Sequence, residues 1–106
     1  MPRQSIPNSL FGRRLREARN RLSIAQDKLG VIIGMDESCS SARISRYETE
    51  IHEPPFAIAE KLSSALHVPV AYFYCDDDEL ADLLVSYANY DKSKKDQLLA
   101  FAKTLR

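Results

Sequence analysis

The sequence lacks the patterns that mark most enzymes and membrane proteins. Its 106 residues contain no apolar run approaching the roughly 20 residues that a transmembrane helix needs. A Gly-rich phosphate loop, an HExxH motif and a GxSxG motif are all missing, so we predict neither an enzyme nor a bound cofactor. The start, Met1 to Ser5, leads into no apolar signal-peptide region. We therefore expect a cytoplasmic chain with one domain, or one domain and a tail.

Cysteine is scarce, with two residues, Cys39 and Cys75. Together with His52 and His67 they suggest a zinc site, but no C-x-x-C or H-x-x-x-H pair exists. The acidic run 76–79 suggests a carboxylate metal site, yet acids are favoured at a helix N-terminus by the macrodipole. We predict no metal site, and we expect both thiols to be reduced in a cytoplasmic chain.

The chain also has no excess of charge of either sign. Its 15 Lys and Arg residues balance 15 Asp and Glu residues, which argues mildly against nucleic acid as a partner. The distribution is uneven, however. Residues 1–46 contain nine basic and four acidic side chains, whereas residues 47–106 contain six basic and eleven acidic ones. The first predicted helix concentrates the basic residues in a face suited to phosphate binding, formed by Arg13, Arg14, Arg16, Arg19 and Arg21.

Apolar residues recur at helical spacing along the chain and predict an all-α fold. Ser23-x-x-Gln26 is a capping-box pattern before a helix over Ala25–Gly34. Gly30 lies in the middle of that helix, where glycine normally costs stability, so we expect another helix to cross closely there. Gly34 is placed to end the helix. After Pro69 a short fifth helix is expected, followed by two more helices starting near Asp76 and Ser93.

Residues 40–48, Ser-Ser-Ala-Arg-Ile-Ser-Arg-Tyr-Glu, form the most informative segment. Wound as a helix, they have an apolar face and an opposite, small polar face formed by Ala42, Ser45 and Arg46, which continues to Thr49. Such a face suits a DNA major groove, where arginine pairs with guanine, although an amphipathic helix with a solvated polar face explains it equally well. The preceding helix and its glycine stop favour the first interpretation, because together they give the order of a helix-turn-helix.

Several further motifs occur in a fixed order: Leu15-Arg16-Glu17-x-Arg19, Gln26, Leu29, Gly34, Ile44-Ser45-Arg46-Tyr47-Glu48, Pro54-Pro55 and Ala59-x-x-Leu62-x-x-Ala65-Leu66-x-Val68. As an ordered set they resemble the Cro/phage-repressor family of bacterial DNA-binding domains, the XRE-like regulators. The resemblance implies a five-helix repressor-like domain with a helix-turn-helix over residues 9–74. Residues 1–8 would form a flexible arm, and residues 75–106 a C-terminal helical hairpin that serves in dimerisation.

The resemblance also implies roles for individual residues. Ser41, Ala42 and Arg46 fall where family members read bases, and Ser45 shares their outward face. Gln26 matches a glutamine that contacts the DNA backbone, Arg43 lies where it can reach phosphate, and Ser40 falls at the N-cap of the recognition helix. Arg19 and Glu48 match a structural ion pair between the first and third helices.

One departure from the family pattern concerns residues 36–39, Asp-Glu-Ser-Cys, which lengthen the connection before the third helix by about four residues. The insertion fits a longer loop. It also fits one extra turn at the front of the helix, capped by Asp36 or Ser38. The second arrangement would bring an acidic pair toward DNA phosphate, so the register of the base-reading residues depends on it.

The function implied is sequence-specific binding of double-stranded DNA by a bacterial or phage transcriptional regulator, a repressor. Its recognition helix would enter the major groove of an inverted-repeat operator, with the chain acting as a homodimer through its fifth helix and C-terminal hairpin. Two alternatives stay open. One is an antitoxin or controller protein that also sequesters a second protein, which co-purification would reveal. The other is a protein-interaction module that kept the fold and lost DNA, for which Arg46 and Gln26 would have no use.

Overall fold

The computed structural model describes residues 7–106, and every regular element in that range is helical. The prediction of an all-α fold is therefore confirmed. None of these helices is long and apolar enough to cross a membrane. Of the predicted arm, residues 1–6 lie outside the described residues. The elements are α1 Leu10–Arg21, α2 Gln26–Ile32, α3 Glu37–Thr49, α4 Phe56–Leu66, a 3-10 helix Val70–Tyr74, α5 Asp78–Asn89 and α6 Lys92–Thr104.

The hydrophobic core draws on every element except α6. On α1, Phe11, Leu15 and Ala18 recur at helical spacing and are buried, whereas Leu22, which follows the last helical residue, is 37% exposed. The short fifth helix predicted after Pro69 is a 3-10 helix, and it buries an aromatic pair between α1 and α4. The main buried side chains are Phe11, Leu15, Ala18, Leu29, Ile33, Ile44, Ala59, Leu62, Leu66, Tyr72, Phe73 and Ala81.

The ends of α2 confirm one sequence prediction and overturn another. Gly34 has a φ of 98°, and the N–H groups of Gly34 and Met35 donate to the carbonyls of Val31 and Gly30. This pair of bonds is a Schellman motif, which satisfies the last carbonyls of the helix. The predicted capping box is wrong: α2 begins after Ala25, which has no side-chain acceptor, and Ser23 itself has a φ of 55°.

The insertion at residues 36–39 forms an extra helical turn. Helix α3 begins at Glu37 with Asp36 as its N-cap residue, so the alternative of a longer loop is excluded. The prediction of Ser40 as the N-cap is wrong for the same reason. Ser40 lies inside the helix and is fully buried, and its hydroxyl donates to the carbonyl oxygen of Asp27 on α2. A serine tolerates this buried position because its hydroxyl has an acceptor.

Two glycines allow close helix crossings. A Cβ added at Gly30 would lie 2.7 Å from the Cβ of Ser40, so the close crossing of α2 and α3 predicted at Gly30 is confirmed. A Cβ added at Gly12 would lie 2.7 Å from the carbonyl carbon of Glu48, so α1 meets the backbone of α3 equally closely. These two crossings fix α3 against both of its neighbours.

The C-terminal residues divide into a packed helix and an unpacked one. Ala81 of α5 is buried in the core, and Leu84 and Val85 pack against it. Helix α6 contains no buried residue. Asp77 and Asp91 cap α5 and α6, in place of the predicted starts at Asp76 and Ser93. Helix α5 is thus part of the domain, and helix α6 extends from it.

Candidate DNA-binding site

The outer surface of α3 carries the residues predicted to meet DNA. Ser41, Ala42, Arg43 and Arg46 are exposed, and Ser45 is partly buried. The Arg46 side chain is 71% exposed, and its only ion-pair contact among the described residues is a 4.0 Å separation of Nε from a Glu50 oxygen. A surface ion pair this long holds the guanidinium weakly, so Arg46 can turn toward a ligand.

The extra turn adds a residue that sequence reasoning missed. Ser38 is exposed and lies one helical turn before Ala42, on the same outward face of α3. The sequence does not assign Ser38 to this face, because residues 36–39 are compatible with a loop as well as with a helical turn. The sequence carries one signal for this position, because Ser38 lies four residues before Ala42. The two side chains share a face only if the helix begins before Ser38.

Acidic residues stand at the front of α3, as the extra-turn alternative required. Asp36 and Glu37 are both exposed, and the Asp36 carboxylate accepts a hydrogen bond from the Ser38 hydroxyl. Glu37 in the first turn is favoured by the helix macrodipole. The pair does not cover the outward face, since Ser41, Ala42 and Arg46 are exposed. It will nevertheless repel phosphate at that end of the helix.

Glu48 is the electrostatic centre of the helix-turn-helix. Its carboxylate is fully buried, and it accepts hydrogen bonds from Arg19 Nε at 2.6 Å and from Arg19 Nη2 at 3.1 Å. Arg16 Nε donates to the same carboxylate at 3.0 Å, and Gln26 Nε2 donates at 3.2 Å. A buried carboxylate with this many donors is fully satisfied, and losing it would leave buried cations without their partner.

This cluster joins the three helices that position the DNA-binding surface. Arg16 and Arg19 lie on α1, Gln26 begins α2 and Glu48 lies on α3. The sequence-predicted partners Arg19 and Glu48 are in direct contact, while the involvement of Arg16 was not predicted. Gln26 is only partly exposed, and its bond to Glu48 fixes the direction of its amide. A phosphate contact would therefore use an amide whose orientation is already set.

The predicted basic face of α1 does not form. The prediction rested on the concentration of arginines in this helix, but three of the five guanidinium groups are directed into the protein, namely those of Arg14, Arg16 and Arg19. They pair with Asp78 or with Glu48, which lie 64 and about 30 positions away in sequence. Exposed cations on the helix-turn-helix are instead Lys28, Arg43 and Arg46. On α1, only Arg13 and Arg21 of the five arginines remain exposed.

The cysteines and the other potential metal ligands among residues 7–106 do not gather into a metal site. Cys39 and Cys75 are free thiols of intermediate exposure. Across residues 7–106, no three His, Cys, Asp or Glu side chains come together in a group that could hold a metal ion.

Comparison with known proteins agrees with this geometry. A helix-turn-helix family model matches residues 15–73, which extend from α1 to the 3-10 helix and make up more than half of the chain. Among solved structures, the transcriptional regulator BswR is similar, with 41% sequence identity and a TM-score of 0.81. The match covers 88% of this chain and 92% of that one. No curated protein matched the sequence. The chain belongs to the XRE-type helix-turn-helix family.

Proposed function

We propose that this protein is a transcriptional regulator that binds a specific double-stranded DNA operator and represses transcription by occupying it in the bacterial cytoplasm. The observation that carries the proposal is the exposed outer face of α3, with Arg46 free to turn outward, on a helix held in place by the buried Glu48 cluster. The family match and the similarity to a transcriptional regulator support it. A repressor needs no further activity, because a bound protein blocks access to a promoter.

In the proposed complex, contacts divide between orientation and sequence reading. Gln26 and Arg43 bind phosphates and set the position of the helix. Arg46 pairs with a base, while the small side chains at Ser41, Ala42 and Ser45 allow the close approach that the major groove requires. Ser40 has no part in this, because it is buried between α2 and α3.

Arg46→Ala and Arg43→Ala are expected to weaken DNA binding in two different ways. On a duplex selected from random-sequence DNA, Arg46→Ala should weaken binding by about 1–3 kcal/mol and relax the preference at one base pair of each half-site. Arg43→Ala should weaken binding on all sequences alike and lower the slope of affinity against salt concentration by about one. Fluorescence anisotropy at several salt concentrations measures both effects.

The two variants serve as each other's control, because both remove one exposed guanidinium from α3. An equal loss on every sequence for Arg46→Ala would place Arg46 on phosphate, and base reading would then have to be reassigned.

We further propose that the protein acts as a homodimer through α5 and α6. Large apolar side chains are exposed on both helices, and α6 buries nothing within its own chain. Leu98, Phe101, Ala102 and Leu105 share one face of α6 by their i, i+3, i+4, i+7 spacing. A contiguous apolar surface of this kind marks a protein interface, and a two-fold dimer matches an inverted repeat.

Sedimentation should show a dimer at tens of micromolar, and Phe101→Glu should convert it to a monomer because a charge would be buried at the interface. Ala100→Glu is the matched control, since Ala100 lies on the opposite face of the same helix. A monomeric unmodified chain would contradict the dimer proposal, as would equal effects of the two substitutions.

A second candidate function is favoured by the same observation. The apolar face of α6 could serve to sequester a different protein, as in an antitoxin or controller. In that case the isolated chain would be monomeric in sedimentation, and a stoichiometric partner would co-purify with it through α6. Dimerisation through Phe101 would count against this candidate.

A further inference from the structure

A buried arginine connects α1 to the beginning of α5. The Arg14 side chain is 3% exposed, and its Nε donates to the carbonyl oxygen of Cys75 at 2.9 Å. Its Nη2 donates to Asp78 Oδ1 at 2.9 Å, and its Nη1 donates to Glu17 Oε2 at 3.0 Å. The guanidinium also lies 5.7 Å from the centre of the Tyr72 ring. No step of DNA reading uses this arginine, and yet it is among the most completely bonded side chains described.

The charge of Arg14 is secure despite its burial. Removal from water acts to lower the pKa of the guanidinium, but hydrogen bonds to the Asp78 and Glu17 carboxylates raise that pKa above its ordinary value overall. Arg14 therefore stays charged at any pH at which the protein is folded. The Glu17 side chain is 45% exposed and the Asp78 side chain 73%, so the pairing directs the arginine without burying an acid.

The other end of α5 is also attached to the domain. Asn89, the last residue of α5, donates from Nδ2 to the carbonyl oxygen of His67 at 3.1 Å, at the end of α4. Between the two ends, Ala81 is buried in the core. A helix held at its first residue, its middle and its last residue has a defined direction relative to the domain.

Helix α1 makes the corresponding contacts to α3. Its residues Arg16 and Arg19 bond Glu48, and Gly12 permits close approach to the α3 backbone. Arg14 lies between these positions on the same helix, directed toward α5. Helix α1 thus joins the recognition helix to the helix that carries exposed apolar side chains.

We propose that Arg14, acting through Asp78, is a positioning residue that sets the spacing between operator half-sites. The inference rests on the proposed function, because it requires a dimer formed through α5 and α6. In such a dimer, the direction of α5 relative to α3 determines the separation of the two recognition helices. A rotation of about 10° over a helix roughly 20 Å long displaces its end by about 3.5 Å, close to one base-pair step.

The test uses Asp78→Ala, because Asp78 is 73% exposed and its loss leaves the other bonds of Arg14 in place. Duplexes carry two selected half-sites in inverted orientation, with the spacing varied one base pair at a time. We expect the unmodified protein to prefer its best spacing over the neighbouring ones by about tenfold. Asp78→Ala should reduce that preference to about threefold or less, while its affinity for a single half-site stays unchanged.

Two further variants sharpen the experiment. Arg14→Lys keeps the charge, but one ammonium group cannot reach all three acceptors, so the spacing preference should broaden as it does for Asp78→Ala. Asp82→Ala removes an exposed acid from the same helix α5 and should leave the preference unchanged. Circular dichroism establishes that each variant is folded.

An Asp78→Ala protein with the same spacing profile as the unmodified chain would overturn the inference and leave the proposed function standing. A loss of DNA affinity that is equal at every spacing and on the single half-site would also overturn the inference. Failure of the unmodified chain to bind inverted repeats would instead contradict the proposed function itself, and the inference with it.

Discussion

Replacing Glu48 with alanine is expected to lower the free energy of unfolding by about 3–5 kcal/mol. The carboxylate is fully buried and accepts hydrogen bonds from Arg16, Arg19 and Gln26. Its removal leaves the Arg19 guanidinium, whose side chain is 8% exposed, without its anionic partner. The cost arises mainly from this uncompensated charge, and much less from lost packing. Urea denaturation followed by circular dichroism measures it as a shift of the midpoint at constant slope.

Glu60→Ala is the control for this experiment, because it removes an exposed glutamate from the middle of α4, away from either end of a helix. Such a substitution should change stability by no more than about 0.5 kcal/mol. If Glu48→Ala cost no more than the control, the cluster would not hold α1, α2 and α3 together as described. A second variant, Glu48→Gln, keeps the shape and one acceptor, and it should fall between the alanine variant and the unmodified protein.

Gly12→Ala is expected to destabilise the protein by about 2 kcal/mol, against the usual direction for this substitution. In a helix interior, alanine is normally more stable than glycine by close to 1 kcal/mol. At Gly12, however, the added Cβ would lie 2.7 Å from the carbonyl carbon of Glu48. The obstacle is backbone and cannot rotate away, so α1 and α3 must separate, and overpacking of this kind costs about 1–3 kcal/mol or more.

Asn20→Ala is the matched control, since Asn20 is an exposed position of the same helix. The variant should gain the higher helix propensity of alanine without a steric clash. Its midpoint of urea unfolding should therefore stay the same or rise. A stabilised Gly12→Ala protein would show that α1 and α3 are further apart than the structure describes.

Two glycines of α2 could be interpreted from the sequence alone. Gly34 follows the last apolar position of the helix, and its positive φ is a backbone conformation that favours glycine. Gly30 indicated a close crossing because glycine is otherwise unfavourable within a helix, and the residue it meets is Ser40. In both cases the residue type itself carries the signal, although the partner of Gly30 becomes known only from the structure.

Long-range pairing could not be predicted in the same way. The five arginines of α1 suggested a basic face, but the local sequence contains no information about a carboxylate 32 or 64 positions away, and such carboxylates bind Arg16 and Arg14. The start of α3 was ambiguous because residues 36–39 are compatible with a loop and with a helical turn. The buried position of Ser40, with its hydroxyl bonded to α2, decides between them only in three dimensions.

The face of α6 shows a different limit. Its apolar residues recur at the spacing that is typical of a buried stripe, and yet the helix buries none of its residues within the chain. A stripe identifies a surface that avoids water but not the molecule that covers it. For this reason the homodimer is a proposal tested by sedimentation, and the fold is not affected by its outcome.

The proposed role of the outer face of α3 is to read base pairs, with Arg46 as its main contact. Its most direct test is selection of bound duplexes from random-sequence DNA, carried out in parallel with the unmodified chain and with Arg46→Ala. We expect an enriched inverted repeat with half-sites about one helical turn apart. We also expect that one symmetric base-pair position, read as guanine, loses its preference in the variant. Recovery of no shared sequence, or of the same sequence at every position from both proteins, would contradict this role.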